Sequence, residues 1–147
     1  MSARDVISFN LNGQACDAVP GETILQAAQR SGVDIPHLCF KQGYRADGNC
    51  RACVVEIEGE RTLAPSCCRA PSAGMKVQST SERALKSQKM VLEMLLADMP
   101  DTGYKWIEDD ATLPHGELSA WARQMQVQAR PELRAMRREP SAADVSH

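Results

Sequence analysis

Aromatic residues are scarce: Trp, Tyr and Phe together make up 4% of the 147 residues. A core built from this chain must therefore rest on Val, Leu, Ile, Ala and Met. Excess charge is missing as well. The formal net charge of −2 offers no electrostatic footprint for nucleic acid and no basic face for a membrane surface. No apolar run approaches the roughly 18 residues that a spanning helix needs, so no membrane span is expected. The start, Met1-Ser2-Ala3-Arg4-Asp5, has no apolar stretch of the secretory kind, and the expected location is cytoplasmic. Glycine loops of the Gly-x-Gly-x-x-Gly or Gly-x-x-x-x-Gly-Lys type are absent. His37, His115 and His147 stand in no Ser/His/Asp or Cys/His constellation. No substrate site is expected on this chain alone. Finally, no cysteine follows Cys68.

What is present is concentrated in residues 36–71. Five of the six cysteines fall there, and Cys39, Cys50, Cys53 and Cys67 are separated by ten, two and thirteen residues. One close pair plus two isolated cysteines can place four thiolates around a metal centre. In a reducing compartment clustered cysteines act as ligands more often than as disulfides. Spacing alone leaves zinc and iron–sulfur open. Structural zinc more usually shows two Cys-x-x-Cys knuckles, whereas here there is one knuckle and a long loop carrying Gly43 and Gly48. Glycine beside cysteine lets backbone amides approach anionic sulfur, which favours a [2Fe–2S] cluster. His37, two residues before Cys39, is expected in a capping or neighbouring role rather than as a ligand.

Around this stretch the chain reads as short elements. Residues 6–19 form a hairpin about Asn12-Gly13, with Cys16 as a small buried hydrophobe. Thr23 caps a short amphipathic helix that closes at Ser31-Gly32. Residues 37–52 show no periodicity. A strand from Cys53 to Glu58 turns at Gly59-Glu60, returns over 61–64, and a last strand covers 75–78. A length of 147 residues holds one domain of about 100 residues plus an appendage. The appendage opens at Ser79 with Glu82 in a capping box. Its first helix, over 84–99, is apolar nearly all round in its second half, which predicts burial on more than one side. Tyr104 and Trp106 read as a clamp onto that helix. Pro114 and Pro131 each open a further helix, and the arginines from Arg130 onward read as a solvated face. For Cys67 and Cys68, neighbours on extended backbone point to opposite sides. One is then expected to face the loop and the other to face away, with the order left open.

The motifs Pro36-His37-Leu38-Cys39, Gly48-Asn49-Cys50-Arg51-Ala52-Cys53, Val55-Glu56-Ile57-Glu58-Gly59 and Pro65-Ser66-Cys67 resemble the N-terminal [2Fe–2S] domain of certain large electron-transfer subunits. These occur in NADH:ubiquinone oxidoreductase, NAD-reducing hydrogenase and NAD-dependent formate dehydrogenase. The resemblance covers residues 5–80. It implies an α+β, plant-ferredoxin-like β-grasp fold and one [2Fe–2S] cluster held by Cys39, Cys50, Cys53 and Cys67. Gly48 and Arg51 line that cluster, and Cys68 is left to packing. Soluble plant-type ferredoxins differ in having four residues between the first two cluster cysteines rather than ten.

The His-x-x-x-Cys-x-x-Cys-x-x-x-x-x-Cys site that follows in the respiratory and hydrogenase versions has no counterpart here. The segment from Ser81 through Asp98, with residues 113–118, looks most like the alpha subunit of formate dehydrogenase. The expectation is an electron-transfer module of an NAD-linked complex, with a molybdopterin or tungstopterin catalytic part and a flavin- and NADH-binding subunit as partners. A hydrogenase host or a zinc-stabilised interaction module is the alternative. Residues 81–140 are expected as a helical docking region and 141–147 as a flexible end.

Overall fold

The computed structural model describes residues 5–99 and 117–136. Strands β1 (Ile7–Leu11) and β2 (Gln14–Ala18) pair antiparallel, Phe9 opposite Cys16. Asn12 and Gly13 take φ of 54° and 85°, the left-handed pair that a tight two-residue hairpin demands. Helix α1 (Ile24–Arg30) follows. Thr23 Oγ1 accepts from the Gln26 amide and Gln26 Oε1 accepts from the Thr23 amide, a reciprocal cap. The chain then runs through the long loop to β3 (Val54–Ile57), β4 (Ala64–Pro65) and β5 (Lys76–Gln78).

The sheet order is β2-β1-β5-β3-β4. β5 enters between β1, to which it is parallel, and β3, to which it is antiparallel. This is the α+β, β-grasp arrangement expected. Ile24, Leu25, Ala27 and Ala28 of α1 pack with Phe9, Leu11, Val55, Ile57 and Val77 from one face of the sheet. Successive strand residues point to opposite faces, yet Val54 and Val55 are both buried. β3 is therefore covered on both sides, which alternation in the sequence did not disclose.

Two local readings change. The returning strand over 61–64 shrinks to Ala64–Pro65, at the sheet edge, where a proline without an N–H is tolerated. Helix α2 (Glu82–Asp98) is capped by Ser81, whose Oγ accepts from the Ala84 amide at 3.2 Å. Ser79 is otherwise engaged: its amide donates to Asn12 Oδ1, and its hydroxyl accepts from Asn12 Nδ2, each at 2.8 Å. The hairpin turn claims it, a contact across sixty-odd residues.

The chain divides into two compact units, 1–91 and 92–147, so that α2 begins in the first. Ala84 and Gln88 of α2 are buried. Gln88 Nε2 donates to the carbonyls of Val54 (2.8 Å) and Ser79 (3.0 Å). In the second unit, Arg130 donates to Glu93, α3 (Glu117–Gln124) ends ahead of a left-handed Gln126, and α4 (Pro131–Ala135) carries its proline in the first turn. All-round burial of the long helix is not seen: Met90, Met94 and Leu95 are exposed. Tyr104, Trp106, Pro114, His115 and residues 141–147 lie outside the described residues. No helix among the described residues is long and apolar enough to cross a membrane.

Candidate metal centre

Residues 37–52 contain neither helix nor strand. Their backbone is instead turned onto sulfur. The amides of Gly48, Asn49 and Cys50, with the Cys50 side chain, all address the Cys39 thiol. Burial opposes its ionisation, but these donors outweigh burial and hold Cys39 below the ordinary thiol range. The Ala52 amide lies 3.5 Å from Cys50 Sγ. Two left-handed residues shape this nest. Gly48 has φ +66° and Arg51 has φ +60°; for a residue with a side chain that conformation costs about 1–2 kcal/mol. Such non-glycine outliers gather where surrounding structure enforces them. Arg51 is exposed, so its described contribution is to backbone direction.

The second half of the site is buried. Cys53 ends the loop where β3 begins, and Cys67 follows β4; both are under 2% exposed. Ser66 fixes the strand ends: its amide and hydroxyl both donate to the Cys53 carbonyl, at 3.2 and 2.7 Å. Its own carbonyl accepts from the Leu25 amide, while that of Arg69 accepts from Ile24. Two first-turn amides of α1, which no helical carbonyl can satisfy, are thus held by the segment around Cys67. Burial pushes the Cys67 thiol up, well above the ordinary thiol range, and the neighbouring Cys53 and Cys68 sulfurs push the same way. A bound cation reverses such a preference.

The geometry of Cys67 and Cys68 overturns the expectation of opposite sides. The chain leaves β4 in a turn, with Cys68 N and Arg69 N both donating to the Pro65 carbonyl. Curvature brings the two sulfurs to 3.6 Å. Cys68 also stands against Gly48, where a Cβ would lie 2.9 Å from its Sγ. Neither Ser66 nor this turn was visible in residue order, since both depend on which strand end meets the helix. His37 points back along the chain, Nδ1 donating to the Ile35 carbonyl at 2.9 Å, with its ring edge-on to Phe40. Cys16 is buried in β2, its Sγ 3.1 Å from Ser31 Oγ and apart from this sulfur set.

The described residues gather no group of three or more His, Cys, Asp or Glu side chains about a single ion position. Cys39 stands with Cys50, and Cys53 with Cys67. Thiol donors, amides aimed at sulfur and a glycine where a Cβ would intrude fit an iron–sulfur cluster. A cleft of about 650 Å³ in the second unit, lined by Leu96, Ala122, Val127 and Arg134, holds no sulfur or carboxylate ligand.

The family described as 2Fe–2S iron–sulfur cluster binding domain matches residues 4–82, and the chain belongs to it. Its cofactor is a [2Fe–2S] cluster. Relatives include the NADP-reducing hydrogenase subunit HndD of Solidesulfovibrio fructosivorans, 39% identical over 100 residues, which are 65% of this chain and 17% of that protein. The mitochondrial NADH dehydrogenase [ubiquinone] iron–sulfur protein 1 of Solanum tuberosum is 36% identical over 65% of this chain and 13% of its own length. A crystal structure of NAD+-reducing [NiFe]-hydrogenase in the H2-reduced state superposes with a TM-score of 0.69. There the identity is 32%, over 84% of this chain and 50% of that one. The chain thus spans less than a fifth of either of these two curated relatives.

Proposed function

We propose that this chain is a one-electron carrier whose [2Fe–2S] cluster is held by Cys39, Cys50, Cys53 and Cys67, within a multi-subunit NAD-linked oxidoreductase. The observation that carries the reading is the convergence of the Gly48, Asn49 and Cys50 amides on Cys39. When bound, the cluster takes up and releases one electron. The chain's own residues do the rest. Cys39 and Cys50 on the loop side and Cys53 and Cys67 at the strand ends would hold the cluster between them. The amides offset thiolate charge and so tune the potential. The buried Cys53 and Cys67 side excludes water, while the half-buried Cys39 and Cys50 side lies nearer to solvent and to a redox partner. Gly48 gives the loop its close approach, and Arg51 gives it its direction.

The host in this reading is an NAD-dependent formate dehydrogenase. Residues 81–140 dock to a molybdopterin or tungstopterin catalytic part and a flavin- and NADH-binding subunit, and the location is cytoplasmic. The support is the likeness of residues 81–98 and 113–118, the last partly outside the described residues. An NAD-reducing hydrogenase is the second reading, favoured by the 32% identity over 84% of the chain. The experiment is anaerobic purification of the tagged chain from its own cells. A brown protein that bleaches with dithionite and co-purifies with formate-dependent NAD+ reduction is expected. Hydrogen-dependent reduction instead would move the host to the hydrogenase. A colourless protein with stoichiometric zinc would end the electron-carrier reading.

A further inference from the structure

The turn after β4 places a fifth thiol beside the four assigned to the cluster. Cys68 Sγ lies 3.6 Å from Cys67 Sγ. It also stands against Gly48, whose amide addresses Cys39. Cys68 therefore sits between the buried strand-end pair and the loop, and it is exposed where Cys67 is not. Rotation about one staggered χ1 step carries a cysteine sulfur roughly 3 Å, close to the separation seen. Backbone hydrogen bonds do not bar a small shift, since the Cys68 amide takes part in a turn at the sheet edge and in no ladder.

We infer that Cys68 is a reserve ligand position: with the Cys67 sulfur gone, the Cys68 thiol rotates into its place, gives its proton to solvent and binds the same iron. The inference rests on the reading that Cys67 is the fourth ligand. Cys50 and Cys53 have no such neighbour, because each adjoins residues without sulfur. Loss of the Cys67 sulfur is thus repairable in a way that loss of theirs is not.

The test uses the full chain, reconstituted anaerobically with ferrous iron, sulfide and a thiol reductant. It reads iron and sulfide content per folded chain, and the electron paramagnetic resonance spectrum after reduction. Cys67→Ala is expected to retain one cluster with shifted g-values, and Cys67→Ala/Cys68→Ala to fall to background. Both carry the same cavity, so the difference between them reports the thiol at 68. Because Cys67 is fully buried, Cys67→Val with and without Cys68→Ala brackets cysteine in volume, and circular dichroism selects the folded pair. Iron at background in both members of the folded pair overturns the inference and leaves Cys67 as the fourth ligand. Iron lost from Cys68→Ala alone, with Cys67→Ala spectrally unchanged, moves the fourth ligand to Cys68 and overturns both.

Discussion

A Cβ on Gly48 would stand 2.9 Å from the Sγ of Cys68, closer than real Cβ contacts come. Gly48 also has φ +66°, so a side chain there is strained twice, by its own backbone and by the turn after β4. Gly43 separates the two effects, with φ +88° and no atom within 4 Å of a built Cβ.

Gly43→Ala is expected to cost only the left-handed strain, about 1–2 kcal/mol, and to keep its iron. Gly48→Ala should lower the melting midpoint further and reduce iron content, because its neighbour must move and the amide at 48 moves with it. Melting curves and iron assays on both variants decide this. Equal effects at the two positions would mean that the contact with Cys68 is immaterial.

Gln88 carries a different kind of weight. Its amide group joins α2 to the carbonyls of Val54 and Ser79, at the ends of two neighbouring strands, and the side chain is 1% exposed. Gln88→Leu leaves both carbonyls buried without that partner, at a cost of about 1–3 kcal/mol. That amounts to a fall of several degrees in melting midpoint for a domain of this size. The exposed neighbour in Lys89→Ala should melt as the parent does. A midpoint unchanged in Gln88→Leu would show that the two bonds contribute nothing net.

The Glu22 carboxylate receives the Val19 amide at 2.8 Å and Arg30 at 2.7 Å, tying the end of β2 to the last turn of α1. Burial works against its charge. The Arg30 hydrogen bond, the Val19 amide and the Arg30 charge outweigh it and hold the carboxyl below its ordinary value of 4.5. A depressed folded value means that this stabilisation is present above the unfolded value and fades as pH falls through the folded one. Glu22→Gln should therefore melt below the parent at about pH 7, with the gap closing as pH falls below the ordinary 4.5. A gap that stays constant with pH would show that the charge plays no part.

Legibility followed the range of the contacts. The hairpin at Asn12-Gly13, the Thr23 cap and the β3 run are written in adjacent residues, and the structure returns them. So is the grouping of cysteines about a glycine-bearing loop, which places Cys39 under the amides of residues 48–50. Ser79 looked like a cap because its partner at 82 is local, but Asn12 takes it from the far end of the chain. Cys67 and Cys68 looked divergent because extended backbone was assumed through Pro65, and the turn reverses that. Gln88 gave no signal, since a glutamine in a helix declares itself only by the carbonyls it meets.

Truncation tests where the cluster fold ends. From residue order the break falls near Ser79, with everything beyond it available for docking. A compact unit runs to Val91, and the early turns of α2 contribute Ala84 and Gln88 to it, each no more than 1% exposed. A chain cut after Val91 keeps both residues and should reconstitute with the iron content and reduced-state spectrum of the full chain. A chain cut after Ser79 loses the Gln88 bonds and uncovers Val54, whose side chain is 2% exposed in the whole protein. It should melt lower and lose iron faster to a chelator. Each hydrogen bond of this kind is worth about 1 kcal/mol net, so the shorter chain stands to lose several degrees of midpoint. Side-by-side chelation rates and melts of the three lengths would settle it. If the two truncated chains behave alike, α2 is not part of the cluster fold, and the docking region begins at residue 81 as residue order implies.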